Sequence, residues 1–448
     1  MKLHRTICFA FAALFAGAAW AEDPKVTFEK YTLKSGMEVI LHQDSSVPLV
    51  AVNVWWHVAS GDETPGKSGF AHLFEHMMFQ GAQHIGEDVH FEILKKIGAT
   101  GINGTTNLDR TNYFEVVPAH HLETALWLES DRMGYMLPML NEKSLANQRD
   151  VVRNERRQSY DNRPYGKELF AVMEGLYAEG HPYRYMTIGR HEDIEGASLA
   201  DVRGFFKQWY VPSNATLVLA GDFEPVAAKK LIEKWFGSFP APARPEHRIV
   251  LPTPLASNRR STLSDPLAKL RRVRFAWHSP PAYREGDAEF DILASVLGEP
   301  GTGRLYKILV HEKQLVQMVS AMQRSAGMSG LYTIVADLRP GADQAQVEAI
   351  LDEQIEEVMR NPVTQREFDR AVTGVKADLV WQLEGLMARA ELLQGYNHFV
   401  GTPDYITQDL DRYRKSSPKK VHEAAARYLA KKQRVEVITL PAEGGTTP

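Results

Sequence analysis

Two histidines and a glutamate fall within five consecutive residues, HLFEH, at positions 72–76. Residues i and i+4 share one face of a helix, so His72 and His76 would present both imidazoles to one point. Imidazole nitrogens bind Zn²⁺ at about 2.0–2.1 Å, and Glu75 would be close enough to accept a proton from water that the metal activates. This H-x-x-E-H order is the reverse of H-E-x-x-H, in which two histidines on one helix face bind zinc. The pattern therefore predicts zinc ligands at His72 and His76 and a general base at Glu75.

The residues around this motif favour a buried helix over residues 68–80. Apolar side chains occupy nearly every side of it, at Phe70, Leu73, Phe74, Met77, Met78 and Phe79. A helix that is apolar all round is normally buried, and buried ionisable groups need partners, which a metal provides. The alternative is a surface helix that carries two solvated histidines.

A catalytic zinc site needs a third protein ligand and leaves one position for water. Glu155 is a candidate because it continues a helical stripe through Leu145, Gln148 and Val152. Glu142 and Glu168 are further candidates, and helical spacing does not decide among the three. Glu155 could also be one more surface carboxylate in a helix rich in arginine and glutamate.

The elements that must position these residues form two similar halves, 22–240 and 263–448. Each half runs from strands through helices to a closing strand, which suggests an internal duplication. Between them, residues 241–262 are rich in proline and predict a semi-rigid linker. The predicted fold class is α+β, with two homologous halves that each contain a mixed, mostly antiparallel sheet covered by helices. In the second half, long helices are expected over residues 342–359 and 364–393.

Composition and the amino terminus bound the cellular setting of this 448-residue chain. Its formal net charge is −4, which removes the electrostatic attraction on which nucleic-acid binding depends. Residues 1–21 combine Lys2 and Arg5, a short apolar run and an Ala19-Trp20-Ala21 cleavage site, as in a secretory signal peptide. The only cysteine, Cys8, lies inside that segment, and no later stretch is long and apolar enough to span a bilayer. We therefore expect an exported, periplasmic, soluble protein without cysteine ligands.

Several motifs together resemble the pitrilysin/insulinase family of zinc metallopeptidases. They extend over most of the chain and include HLFEHMMFQG, GATGINGTTNLDRTNYFEVVP, VVRNERRQ, HPYRYMTIG and GTGRLYKILVHEKQL. The resemblance implies an endopeptidase with one Zn²⁺ per chain, bound by His72, His76 and Glu155, with Glu75 as base. It also implies that the two halves form one half of a clamshell that closes around extended peptides.

The resemblance further assigns a substrate-binding strand beside the metal. The matching residues are Asn103, Gly104, Thr105 and Thr106. A peptide that adds to a sheet edge binds through main-chain hydrogen bonds and needs little sequence specificity. The alternative for these four residues is a turn between strands.

Three positions depart from the pattern of active family members. Gln148 stands where many members carry a second glutamate, and Val310 and Gln317 stand where single-chain members carry a substrate-holding arginine and tyrosine. Arg304 lies six residues before Val310 and is not an obvious replacement. We therefore expect this chain to work as the zinc-bearing subunit of a heterodimer with a homologous second chain. A homodimer of the isolated chain would still lack both residues, and a non-catalytic scaffold subunit is the alternative function.

Overall fold

The computed structural model describes residues 23–442. The predicted signal peptide, residues 1–21, lies outside the described residues. Among residues 23–442, no helix has the length and apolar character needed to cross a membrane.

The first half contains six strands and eight helices. The strands are β1 (Glu29–Thr32), β2 (Glu38–Gln43), β3 (Leu49–Trp56), β4 (Thr100–Thr106), β5 (Thr111–Pro118) and β6 (Ala215–Gly221). The helices are α1 (Phe70–Met77), α2 (Val89–Lys96), α3 (Leu122–Tyr135), α4 (Glu142–Arg156), α5 (Glu168–Leu176), α6 (His191–Glu195), α7 (Leu199–Trp209) and α8 (Pro225–Phe236). A π-helical turn, Arg157–Asp161, continues α4.

The second half contains five strands and six helices. The strands are β7 (Arg259–Asp265), β8 (Arg272–Ser279), β9 (Val316–Arg324), β10 (Gly330–Leu338) and β11 (Val435–Pro441). The helices are α9 (Asp287–Gly298), α10 (Gln344–Arg360), α11 (Gln365–Gln382), α12 (Leu386–Val400), α13 (Ile406–Arg414) and α14 (Pro418–Tyr428). A π-helical segment, Tyr306–Glu312, precedes β9.

The two sheets have the same topology, which confirms the predicted α+β fold of two similar halves. The first sheet has the order β1-β2-β6-β3-β5-β4, and the second has the order β7-β11-β8-β10-β9. Each sheet contains a single parallel pair, β2 with β6 and β7 with β11, and its other pairs are antiparallel. The second sheet therefore repeats the first without a counterpart of β1.

One helix of each half packs on the sheet of the other half. Helix α12 of the second half packs on β3 and β6, where Leu386, Ala390 and Leu393 join Ala51 and Val218 in one apolar cluster. Helix α5 of the first half packs on β8 and β11 in a reciprocal arrangement. The two halves are thus interlocked by exchanged helices.

Three segments differ from the sequence-based predictions. The helix expected over residues 364–393 is two helices, because the chain turns at residues 383–385, where Gly385 becomes the N-cap of α12. Glycine lowers helix stability by about 1 kcal/mol relative to alanine, which favours a break there. Helix α13 was not predicted. Residues 240–258 form no helix or strand, and β7 begins at Arg259, inside the range 241–262 that was predicted as the linker.

Candidate metal centre

The start of helix α1 is held by a glycine at the N-cap and by the carboxylate of Glu63. Gly69, the N-cap, has φ of 85°, a left-handed conformation that favours glycine. The carboxylate of Glu63 accepts hydrogen bonds from the backbone N–H groups of Gly69 at 2.9 Å and Ala71 at 2.8 Å. These bonds satisfy donors that a helix N-terminus otherwise leaves unpaired. Helix α1 is therefore fixed in place at the end that leads into the histidine motif.

The two histidines of α1 face the carboxylate of Glu155 near the end of α4. The Nε2 atoms of His72 and His76 lie 3.6 and 3.3 Å from Glu155 Oε2. Ligand atoms at 2.0–2.2 Å from a tetrahedral metal ion are separated by about 3.3–3.6 Å. Two imidazoles and a carboxylate are also the donor types that zinc accepts in catalytic sites. The two distances to Glu155 and the chemistry of the three side chains therefore fit zinc.

Burial and neighbouring charges set the protonation of these three groups. Burial, with a smaller effect of His76, lowers the pKa of His72 to about 4, so its imidazole is neutral at pH 7. Burial alone would lower the pKa of His76, but the hydrogen bond with Glu155 and the charge of Glu75 raise it. The same hydrogen bond lowers the pKa of Glu155. The shifts of His72 and Glu155 favour the forms that bind metal, a neutral imidazole and an ionised carboxylate. The raised pKa of His76 favours the protonated imidazole, whose proton would be displaced when a metal binds.

Glu75 lies beside the histidines without being part of the set that faces Glu155. One oxygen of its carboxylate lies within 4.8 Å of a ring nitrogen of His72 and of His76. Its Oε2 accepts a hydrogen bond from the Thr106 hydroxyl at 2.6 Å. Burial raises the pKa of Glu75, which makes the carboxylate a better proton acceptor. Glu75 is therefore placed to accept a proton from a water molecule beside a metal ion at this site.

The predicted substrate-binding residues Asn103 to Thr106 lie in a strand and not in a turn. They belong to β4, which forms one edge of the first sheet and pairs with β5 alone among the strands of residues 23–442. A side chain at Gly104 would meet Phe79 at 3.0 Å and Glu75 Cγ at 3.2 Å. The edge of β4 therefore runs directly past the general-base candidate.

The other two candidate ligands lie elsewhere. Glu142 is exposed in the first turn of α4. Glu168 is fully buried, but its carboxylate contacts Arg274 and Thr439 of the second half. Helical spacing was correct that Val152 is buried, whereas the Glu155 side chain, expected to face the core, is 40% exposed. It projects from the end of α4 toward α1.

The three departures from the family pattern have different surroundings. Gln148 is buried, and its side chain contributes to the raised pKa of His76. Val310 packs against the core of the second half, and Gln317 is exposed at the start of β9. Arg304 is held in a bidentate ion pair with Glu367, with both nitrogen–oxygen distances 2.7 Å. It is therefore engaged within the second half.

Two residues of the site's surroundings were missed by the sequence analysis. Glu63 could have been found as an acidic residue just before a helix N-terminus, where negative charge is favourable. Glu391 of α12, which contacts the strand next to β4, has no such local signal.

Comparison with known proteins places both halves in one family. A family model described as "Insulinase (Peptidase family M16)" matches residues 38–176. A second model, described as "Peptidase M16 inactive domain", matches residues 196–375. The first match contains the histidine motif and Glu155, and the second spans the linker and much of the second half.

Relatives and solved structures agree with these matches. The zinc protease PqqE of Helicobacter pylori is 28% identical over 393 residues, which cover 86% of this chain and 87% of that protein. A crystal structure of a protease from Helicobacter pylori superposes with a TM-score of 0.86 at 25% identity, covering 93% of this chain and 99% of the other. The periplasmic protease PqqL from Escherichia coli has a TM-score of 0.77 at 18% identity. The match covers 94% of this chain and 48% of PqqL.

Proposed function

The chain belongs to peptidase family M16, the insulinase family, and on that premise we propose that it is a zinc-dependent endopeptidase. The observation that carries the proposal is that His72 and His76 both lie at tetrahedral ligand distance from Glu155, next to a buried Glu75. One zinc per chain is expected. When bound, zinc polarises a carbonyl group and makes water more acidic.

The chain's own residues would supply the remaining steps. Thr106 holds the Glu75 carboxylate by a hydrogen bond to Oε2. Glu75 would take a proton from the attacking water and pass it to the nitrogen of the leaving amine. An extended peptide would add to the edge of β4 at residues 103–106, where main-chain hydrogen bonds hold it beside Glu75.

We propose that full activity needs a second, homologous chain. No described residue of this chain occupies the substrate-holding positions with suitable chemistry, since Val310 has no donor and Gln317 has no phenol. The chain also corresponds to about half the length of PqqL. A heterodimer would supply the missing arginine and tyrosine from the partner, whereas a homodimer would not.

Activity measurements with defined variants test this proposal. We expect zinc in the purified chain, little cleavage of unstructured peptides by the chain alone, and cleavage after addition of a homologous chain with the arginine and tyrosine. Glu75→Gln should keep the zinc and abolish cleavage. Full cleavage by the chain alone would contradict the partner requirement.

The alternative function is that of a scaffold subunit without catalysis. The replacements at Gln148, Val310 and Gln317 favour it, and the intact metal-binding residues favour the enzyme. A chain that binds no zinc after reconstitution, and assembles with partners regardless of Glu75, would be a scaffold.

We also propose export to the periplasm. The signal-peptide pattern of residues 1–21 supports export, and the related PqqL is described as periplasmic. N-terminal sequencing of protein from a periplasmic fraction should begin near Glu22. A chain that retains Met1 in the cytoplasm would contradict export.

A further inference from the structure

A hydrogen-bonded chain links the second half of the molecule to β4. The Thr105 hydroxyl donates to Asn112 Oδ1 at 2.6 Å, and Asn112 Nδ2 donates to Glu391 Oε1 at 2.7 Å. Thr105 lies in β4, Asn112 in β5 and Glu391 in α12. A helix of the second half therefore reaches the strand that passes the metal centre.

Glu391 fixes the orientation of the Asn112 amide. An amide side chain has donors on one side and an acceptor on the other. Because the fully buried Asn112 directs Nδ2 to the carboxylate, its Oδ1 must face Thr105. Glu391 Oε1 also accepts from Asn53 Nδ2 at 2.7 Å on β3. The carboxylate thus serves two buried amides on neighbouring strands.

Thr105 is the point at which this chain of hydrogen bonds meets β4. Arg110 donates to the Thr105 carbonyl oxygen at 2.9 Å and to its hydroxyl oxygen at 2.5 Å. The next residue, Thr106, projects from the opposite face of the strand and donates to Glu75. On one face of β4, Thr105 is therefore linked to Glu391 through Asn112. On the other face, Thr106 holds the carboxylate of Glu75.

The tip of the same hairpin has a second contact with the other half. Asp109, in the β4–β5 turn, accepts the Tyr183 hydroxyl and the Gly327 backbone N–H, which lies 3.1 Å from each carboxylate oxygen. Gly327 lies in the β9–β10 turn of the second half. This contact fixes the tip of the hairpin, whereas the Glu391 contact acts at the residues next to Glu75.

We propose that Glu391 is a positioning residue that holds β4 in place beside Glu75 and the bound peptide. The inference deepens the proposed function, because it rests on β4 being the peptide-binding strand. It also gives the second half a role in the site even though the arginine and tyrosine positions are lost.

Docking of α12 does not depend on Glu391 alone. Leu386, Ala390 and Leu393 pack against the sheet, and Gln394 Nε2 donates to the carbonyl oxygens of Asn53 at 3.0 Å and Thr216 at 2.8 Å. Removal of the Glu391 carboxylate should therefore leave α12 in place and loosen β4, which Glu391 reaches through Asn112 and Thr105.

Hydrogen exchange of the zinc-loaded full chain tests this inference without measuring activity. In Glu391→Ala we expect exchange in residues 100–106 to rise about tenfold, while zinc content and exchange in α12 stay unchanged. Glu391→Gln keeps an acceptor oxygen and should restore protection. Glu384→Ala is the matched control, because Glu384 is an exposed glutamate just before α12. Unchanged exchange in β4, or a rise spread equally over α12, would overturn the inference.

A double-mutant cycle separates the proposed link from general loosening. Thr105→Val removes the hydroxyl that Asn112 and Arg110 contact. If Glu391 acts through Asn112 and Thr105, the double variant should exchange about as fast as the faster single variant. Additive increases would mean that the two residues act independently and would refute the link.

Peptide protection separates this inference from the proposed function. In the complex of the Glu75→Gln chain with the homologous partner chain, an unstructured peptide should protect residues 103–106, and Glu391→Ala should weaken its affinity about tenfold. Absence of protection in the chain with native Glu391 would refute the peptide-binding role of β4, and with it the positioning of peptide. Normal protection and unchanged affinity in Glu391→Ala would refute only the role of Glu391.

Discussion

Replacement of Glu168 by alanine should destabilise the molecule without affecting its metal. Glu168 is the first residue of α5, the helix that the first half lends to the second sheet. Its Oε2 lies 2.9 Å from Arg274 Nε and 3.7 Å from Arg272 Nη1, and its Oε1 accepts the Thr439 hydroxyl at 2.5 Å. One carboxylate therefore links α5 to two strands of the other half.

The size of the effect follows from the burial of both charges. The Glu168 side chain has no exposed surface, and that of Arg274 is 13% exposed. Removal of one partner from a buried ion pair leaves the other charge uncompensated and costs about 3–5 kcal/mol. Arg272 remains paired with Asp337 at 2.5 Å, so the cost comes mainly from Arg274. We expect the free energy of unfolding to fall by about 3–5 kcal/mol.

Urea unfolding followed by circular dichroism, together with zinc analysis of the folded protein, measures both parts of the prediction. Glu174→Ala is the control, because Glu174 is an exposed glutamate on the same helix and should change stability by less than about 0.5 kcal/mol. A Glu168→Ala protein that remains as stable as the wild type would refute the buried ion-pair argument. Loss of zinc from a stable variant would instead make Glu168 a ligand.

Three further predictions concern β4 and two buried titratable groups. Gly104→Val should lower kcat/KM of the active complex at least about tenfold, because the new side chain would push on Glu75. Peptide cleavage assays would measure this loss, and metal analysis should find the zinc retained. Burial, assisted by the charge of Asp287, raises the pKa of Asp291 to about 7 from 3.8. The native state then loses about 3 kcal/mol of stability as pH rises from 4 to 7, and Asp291→Asn should remove that loss in urea titrations at several pH values. Burial lowers the pKa of His398 to about 3 from 6.5. Its contribution to the free energy of unfolding is therefore fully present above pH 6.5 and falls by about 1.4 kcal/mol per pH unit below that value. A His398→Gln variant whose stability depends on acid pH as the wild type does would contradict this.

The parts of the site that were predicted from the sequence depend on local spacing. The histidine pair and Glu75 lie within one and a half turns of a helix, so their shared face follows from helical geometry. The placement of Glu155 came from the resemblance to the family, because helical spacing alone did not separate it from Glu142 and Glu168.

The parts that escaped prediction depend on contacts between distant segments. Glu391 and Asn112 are separated by 279 positions, and no periodicity in either segment indicates that α12 lies on the first sheet. The exchange of α5 and α12 between the halves is likewise a tertiary arrangement. Such contacts leave no local pattern, because the spacing of apolar residues in an amphipathic helix does not depend on which sheet the helix covers.

Zinc content of the purified full chain, measured by mass spectrometry beside two matched variants, is the most direct test of the account. We expect about one zinc per chain in the wild type and in Glu142→Gln, because the Glu142 carboxylate is exposed at the start of α4. We expect Glu155→Gln to lose the zinc and to retain the fold. Zinc that persists in Glu155→Gln, or a wild-type chain that takes up none after reconstitution, would contradict it.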